Sequence, residues 1–208
     1  MSAATPLDPA AHRDFLNRTY GWTRSIYDLT RKHYLFGRDT VLEALLREPW
    51  EGLVEVGPGT GRNLAILRAR RPKARLGGVE ACDEMLEHAQ ARLPEVRFVH
   101  GFAETASYAG LLGLPADRVL FSYCLSMVQD PGAALDRALD QVAPGGEVVV
   151  VDFADLGGLP WPLAGLLRAW LAAFHVVPLD EALLDARGAT VSHGPGRYWL
   201  QARLRRPG

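Results

Sequence analysis

The sequence predicts an α/β fold in which a doubly wound, mostly parallel sheet of seven strands follows an N-terminal helical cap. Two observations support this: strand-length apolar runs alternate with helix-length amphipathic stretches, and the last part of the chain has the pattern of a hairpin. A chain of 208 residues, 48% of them apolar, can bury one substantial core. We therefore predict a single domain over residues 1–208, with the cap at residues 1–50 and the sheet at residues 51–208.

The elements follow in a regular order. The cap has amphipathic stretches at residues 11–30 and 39–47. Five apolar runs predict strands, at residues 53–56, 75–80, 96–100, 118–123 and 147–153. Three stretches between them predict crossover helices, at residues 62–70, 83–93 and 131–142. An Ala-Pro-Gly-Gly stop closes the third helix, and residues 188–204 supply the last two strands as a hairpin, which completes a Rossmann-like sheet.

Composition excludes several functions. The net charge is -1 and the 23 Lys and Arg residues are scattered, so no basic stretch could follow a nucleic acid backbone. Two cysteines, Cys82 and Cys124, are too few for a disulfide framework, and the polar N-terminus lacks the apolar core of a signal peptide. We expect a cytoplasmic protein, with no nucleic acid partner.

A glycine-rich loop lies between the first predicted strand and the helix that follows. Gly57, Gly59 and Gly61 stand at alternate positions, where backbone can approach a ligand closely and amide groups can point at it. A dinucleotide loop would need its third glycine where this chain has Arg62. Glu55, just before the loop, would repel a pyrophosphate and suits a cofactor with a cationic amino group.

The end of the second predicted strand carries Glu80, about twenty residues beyond the loop, where a carboxylate can accept both hydroxyls of a ribose. Together with Glu55 and the glycine loop, this resembles the class I S-adenosylmethionine-dependent methyltransferases. That resemblance implies S-adenosylmethionine as the cofactor and no metal. The predicted cofactor contacts are Glu55, Gly57, Gly59, Thr60, Gly61, Asn63, Glu80, Ala81, Met85, Phe102, Ala103, Glu104, Ser122, Arg31 and Arg38.

The adenine contact departs from the class pattern. Such enzymes often carry an Asp after the third strand to accept a hydrogen bond from the adenine amine, and here Phe102 stands in its place. Two substitutes are open: Glu104 takes over the bond, or adenine stacks on Phe102 and bonds to the backbone of Ala103.

A closer resemblance lies in the N-terminal segment at residues 26–39. With matching stretches at residues 59–64, 122–127, 151–153 and 167–176, it looks like the bacterial betaine-lipid N-methyltransferases, which methylate the amine of diacylglyceryl-homoserine. This resemblance implies an N-methyltransferase acting on the amine of a carboxylate-bearing lipid. The chain departs from the family at His33, where a tyrosine is expected, and at Glu80, where Asp is usual.

Methyl transfer to an amine is an in-line displacement, so alignment and desolvation matter more than a covalent nucleophile. Aromatic faces accommodate the resulting ammonium, and the candidate residues for catalysis are Tyr27, Tyr34, Tyr123 and His175. Tyr27 and Tyr34 lie two helical turns apart, and are alternatively core aromatics. Arg31 and Arg38 share that spacing, and either hold a carboxylate or lie at the surface.

Three further polar residues are candidates for the site. His175 and His33 are proton acceptors or structural histidines, and Asp152 ends the fifth strand, facing a ligand or capping a loop. Residues 159–178 are nearly all apolar, but prolines and Arg168 argue against a membrane span. We expect this segment to cover the pocket and touch lipid peripherally at the inner membrane, or to pack in the core.

Two other activities share this fold and cofactor class. The aminocarboxypropyl arm of S-adenosylmethionine can be transferred, or closed on its own amine to azetidine-2-carboxylate, and both routes release methylthioadenosine. A non-catalytic, cofactor-binding subunit is a third alternative. We would expect such a subunit to have lost glycines from this loop, and here the loop is intact.

Overall fold

The computed structural model describes residues 35–173 and 176–208. Its α-helices are α1 (Arg38–Arg47), α2 (Arg62–Arg70), α3 (Asp83–Arg92), α4 (Pro131–Gln141), α5 (Trp161–Ala173) and α6 (Glu181–Asp185). Its strands are β1 (Gly52–Val56), β2 (Arg75–Glu80), β3 (Arg97–His100), β4 (Ala116–Ser122), β5 (Val142–Phe153), β6 (Thr190–His193) and β7 (Trp199–Arg205). Short 3₁₀ helices occupy Leu125–Met127 and Pro195–Arg197. The predicted cap helix at residues 11–30 lies outside the described residues.

The seven strands form one sheet in the order β3-β2-β1-β4-β5-β7-β6. β1 pairs in parallel with β2 and β4, and β4 pairs in parallel with β5. β7 runs antiparallel to both β5 and β6, so it is the strand that reverses direction. The predicted fold class is confirmed, including the closing hairpin. The strand order reverses beside β1, where open sheets of this kind bind ligands beyond the carboxyl ends of their strands.

The central strands are apolar because both of their faces are covered. Every residue of β1 is buried, and β5 contributes alternate valines to the two faces of the sheet. One face packs on α4 with Val148 and Val150, and the other packs on α1 and α2 with Val149 and Val151. Burial of both faces explains why these strands appear in the sequence as nearly continuous apolar runs.

The start of β5 differs from the prediction. The helix before it ends at Gln141, close to the predicted stop, but the strand already begins at Val142. The pairing of β4 with β5 shifts between Ala116 and Arg118, and Gly145 has a positive φ of 74° within the irregular stretch. The Pro-Gly-Gly segment is therefore an irregular beginning of the strand and not a separate turn.

Helix α5 lies at the surface. Ala164 and Leu171 are its buried residues, whereas Trp161 is 85% exposed and Leu166 is 69% exposed. No helix within the described residues is both long enough and apolar enough to cross a membrane.

Candidate functional site

An open pocket lies beyond the carboxyl ends of β1, β2, β3 and β4, and its empty volume, including the mouth, is about 710 Å³. The loop after each of these strands supplies part of the wall. The lining residues are Val56, Gly57, Gly59, Val79, Glu80, Ala81, Cys82, Met85, Gly101, Phe102, Ala103, Glu104, Tyr123, Cys124, Met127 and Val128.

The glycine loop requires glycine for two different reasons. Gly57, Gly59 and Gly61 have φ values of 68°, 57° and 76°, which disfavour residues with a side chain. At Gly57 a Cβ atom would also lie 2.5 Å from Sγ of Cys124. A Cβ at Gly59 would meet nothing within 4 Å, so this backbone faces open space in the pocket. The loop therefore offers bare backbone to a ligand at Gly59.

Glu80 joins the glycine loop to the second strand. Its Oε2 accepts the amide N–H of Gly59 at 2.9 Å, and its Oε1 accepts the N–H groups of Ala81 and Cys82, both at 3.0 Å. The side chain is buried at the pocket wall. Three amide donors hold the carboxylate in place, and carboxylate oxygens have further lone pairs for ribose hydroxyls.

The loop after β3 and helix α3 form the part of the wall next to Glu80. Phe102 and Met85 supply apolar surface there, and Ala103 is buried beside them. Glu104 also lines the pocket, and its Oε1 accepts the N–H of Asp130 at 3.2 Å. An apolar slot of this kind, with polar groups at its edge, suits an aromatic base.

Glu55 and Asn63 lie behind the glycine loop and do not line the pocket. Asn63 Nδ2 donates to Glu55 Oε1 at 2.7 Å, and the Glu55 side chain is 1% exposed. Burial raises the pKa of Glu55 to about 8, although Asn63 and the charge of Arg38 act against that shift. At neutral pH this carboxyl is therefore mostly protonated, and its predicted contact with a cationic amino group stays a prediction.

Four further predicted cofactor contacts lie within the described residues. Gly61 is the N-cap of α2, and Thr60 accepts hydrogen bonds from Arg92 through its carbonyl and its hydroxyl oxygen. Ser122 is buried at the end of β4, and Arg38, in the first turn of α1, is 8% exposed. None of these four lines the pocket as the described residues define it.

Tyr123 is the catalytic candidate that the structure describes, and it lines the pocket. Its φ is 53°, and its ring packs edge-on against Phe153 with 4.8 Å between the ring centres. Its hydroxyl donates a hydrogen bond to the carbonyl oxygen of Phe36, and burial raises the pKa of this phenol above its usual range. Tyr27, Arg31, His33, Tyr34 and His175 lie outside the described residues.

Sequence reasoning did not find Cys82, Cys124, Met127 and Val128 in the pocket wall. These side chains carry no chemical signature of a cofactor site. Their positions could have been a signal, because each lies in the segment that follows a strand ending at the pocket.

The lining fits S-adenosylmethionine. Bare backbone at Gly59 admits close approach, the carboxylate of Glu80 suits ribose hydroxyls, and the slot at Phe102 suits adenine. Both charged side chains in the described wall, Glu80 and Glu104, are acidic, which favours a sulfonium cation.

Residues 27–199 match the family described as "Methyltransferase domain". Trans-aconitate 2-methyltransferase of Escherichia fergusonii is 26% identical, with 86% of this chain and 81% of that protein covered. The Methylobacterium radiotolerans enzyme of that name is 32% identical over 63% of this chain, which spans about half (49%) of its length. N-methyltransferase NodS from Bradyrhizobium japonicum, solved with S-adenosyl-L-homocysteine, has a TM-score of 0.68 at 18% identity, covering 95% of this chain and 99% of that one.

The match to the family covers most of the chain, and the solved structure has the same fold. Because the pocket wall also fits the cofactor, S-adenosylmethionine is the methyl donor. This chain belongs to the methyltransferase domain family and is a class I, S-adenosylmethionine-dependent methyltransferase.

Proposed function

We propose that the protein methylates the amine nitrogen of an acceptor that also bears a carboxylate. One observation carries the proposal. The described part of the pocket wall contains two carboxyl side chains, Glu80 and Glu104, and no Arg, Lys or His. Charges of the same sign repel more strongly where water is excluded, so this wall disfavours a polyanionic acceptor and favours an amine.

The residues around the acceptor would act by alignment and desolvation. When bound, the cofactor supplies an electrophilic methyl group, which leaves sulfur for the acceptor nitrogen and gives S-adenosylhomocysteine. Tyr123 lines the pocket, and its hydroxyl is already hydrogen-bonded to the carbonyl of Phe36. An aromatic ring that meets the acceptor with its hydroxyl engaged elsewhere would offer π-electron density to an ammonium group without adding a competing hydrogen bond.

A carboxylic acid is the second candidate acceptor. Both relatives described above are named trans-aconitate 2-methyltransferase, and the match to one of them covers 86% of this chain. Such an acceptor would need cationic partners, and Arg31 and Arg38 are the residues that sequence reasoning assigns to a carboxylate. The same assignment would suit the carboxylate of an amino-acid head group, although Arg38 is buried and does not line the described part of the pocket, so these arginines do not separate the two candidates.

A lipid is our proposed carrier of the amine, in line with the resemblance to the betaine-lipid N-methyltransferases. The exposed face of α5 supports this proposal. Its large apolar side chains are Leu163, Leu166 and Trp170, and the helix has no acidic residue to repel an anionic membrane surface. We propose that this face lies on the inner membrane surface of a bacterium.

The acceptor test supplies the protein with S-adenosylmethionine labelled on the methyl group. Separate reactions contain diacylglyceryl-homoserine, trans-aconitate or no acceptor. We expect S-adenosylhomocysteine and a labelled nitrogen only with the lipid. Label on a carboxyl oxygen of trans-aconitate would favour the second candidate, and methylthioadenosine without an acceptor would refute methyl transfer.

The membrane test is flotation with vesicles of phosphatidylglycerol and phosphatidylethanolamine. We expect the wild type to float with the vesicles and Leu166→Gln to float less. Leu114→Gln is the matched control, because Leu114 is 63% exposed but lies in the loop before β4. Equal flotation of the two variants, or none for the wild type, would refute membrane contact by α5.

A further inference from the structure

We propose that Asp152 is a positioning residue for the cofactor pocket. Its carboxylate fixes the turn at residues 123–128, which forms one wall of that pocket. Asp152 lies near the end of β5 and its side chain is fully buried, so it acts through this turn and does not touch the cofactor.

The two oxygens of the carboxylate have different partners. Oδ2 accepts the backbone N–H of Ser126 at 3.0 Å, and Oδ1 accepts the N–H of Phe153, the next residue of β5, at 2.8 Å. One oxygen is thus bound to the turn and the other to the strand. Each oxygen accepts one backbone N–H, so this buried side chain links the two segments.

The turn needs such a link because it has little internal support. Its 3₁₀ helix, Leu125–Met127, has three residues, and its hydrogen bonds run from Met127 N to Cys124 O at 3.0 Å and from Val128 N to Leu125 O at 3.3 Å. A helix this short is weak on its own. Yet Cys124, Met127 and Val128 all line the pocket, so the position of the turn decides the shape of the wall.

The residue that begins the turn is strained. Tyr123 has a φ of 53°, and a bulky residue keeps such a conformation only where its surroundings hold it. The N–H of Tyr123 donates to the carbonyl of Val151 at 2.8 Å. Val151 and Asp152 are consecutive in β5, so this strand holds Tyr123 through its backbone and Ser126 through a side chain.

Asp152 is an acidic residue on a face of β5 whose other buried residues are apolar. Val148 and Val150 point to the same face of the sheet and belong to its apolar core. Position 152 is equally buried, and an apolar residue there would avoid the cost of burying a polar group. The turn supplies a backbone donor that only an acceptor at this position satisfies.

Asp152→Asn tests the proposal with almost no change of size. An amide offers one oxygen and one NH₂, so either Ser126 N or Phe153 N would face a donor in place of an acceptor. We expect the Kd for S-adenosylhomocysteine, measured by calorimetry well below the melting temperature, to rise about tenfold or more. Val148→Ala is the matched control, because Val148 shares the strand and the face but lies at the far end from the pocket.

A merely structural role would lower the melting temperature of both variants and leave both Kd values alike. A Kd for Asp152→Asn within twofold of the wild type would overturn the proposal, as would equal weakening in Val148→Ala. If Asp152→Asn does not fold, Ser126→Gly replaces it, since this change keeps the N–H, loosens the turn and removes the Ser126 hydroxyl, which is also a partner of Asp152. We then expect about a threefold rise in Kd, and an unchanged Kd overturns the proposal. The test needs no acceptor, so it stands apart from the test of the proposed function.

Discussion

Glu55 provides the most direct test of the electrostatics behind the glycine loop. Its carboxyl is 1% exposed and bonded to Asn63, and burial raises its pKa from an ordinary 4.5 to about 8. Glu55→Gln keeps the size of the side chain and the oxygen that Asn63 Nδ2 contacts, but removes the titration. The variant therefore isolates the free energy that ionisation of Glu55 contributes.

The sign follows from the direction of the shift. A carboxyl with a raised pKa holds its proton more tightly in the folded protein than in the unfolded chain. Its stabilising contribution is complete below pH 4.5 and is lost as the pH rises to about 8. The two pKa values differ by about 3.5 units, and each unit corresponds to about 1.4 kcal/mol. The stability lost between pH 4.5 and pH 8 is therefore on the order of 5 kcal/mol.

The assay is urea unfolding of wild type and Glu55→Gln at several values between pH 5 and pH 8.5. We expect the stability of the variant relative to wild type to increase by about 1.4 kcal/mol per pH unit, and to level off above pH 8. Glu87→Gln, at an exposed position of α3, is the control and should show no such trend. A difference between Glu55→Gln and wild type that does not change with pH would refute a neutral Glu55 in the folded protein.

Three further variants test other contacts. Glu80→Asp shortens the side chain, so the hydrogen bond from Gly59 N should be lost and the Kd for S-adenosylhomocysteine should rise about tenfold. An unchanged Kd would show that cofactor binding does not depend on this hydrogen bond. Gly57→Ala should lower the free energy of unfolding by about 2–4 kcal/mol, measured by thermal unfolding. Gly113→Ala should cost less, because Gly113 also has a positive φ but a Cβ there would meet nothing within 4 Å. Equal costs would argue against a clash with Cys124. Asp117→Ala removes the oxygen, Oδ2, that accepts both Glu51 N and Gly52 N at 2.8 Å, at the opposite end of the sheet. It should lower stability by about 1–2 kcal/mol, and altered cofactor affinity would contradict its distance from the site.

The strands were predictable where a short apolar run is bounded on both sides by polar residues. Residues 76–79 are apolar and lie between the charged residues Arg75 and Glu80, and the structure places β2 at Arg75–Glu80, as predicted. The start of β5 was not predictable, because Gly145 and Gly146 usually mark a turn, and here their backbone groups are hydrogen-bonded to Arg206, which follows β7. Local propensity is overridden there by a contact that is distant in sequence.

The site was predictable where backbone chemistry defines it and less so elsewhere. The glycines of the loop allow its positive φ values, and the position of Glu80 follows from the length of the strand-helix-strand unit from β1 to β2. The location of Glu55 behind the loop depends on Asn63 of α2, and the role of Asp152 depends on a turn that begins 29 residues earlier at Tyr123. Such contacts arise from packing and leave no periodic signal.

The three amide bonds of Glu80 also bear on how the protein binds its cofactor. Because this carboxylate already joins the glycine loop to β2, the binding surface exists before any ligand arrives. Ligands that meet an ordered surface lose less free energy to ordering the protein. The cofactor should therefore bind without refolding the loop, and selection among acceptors falls to the segments that complete the mouth of the pocket.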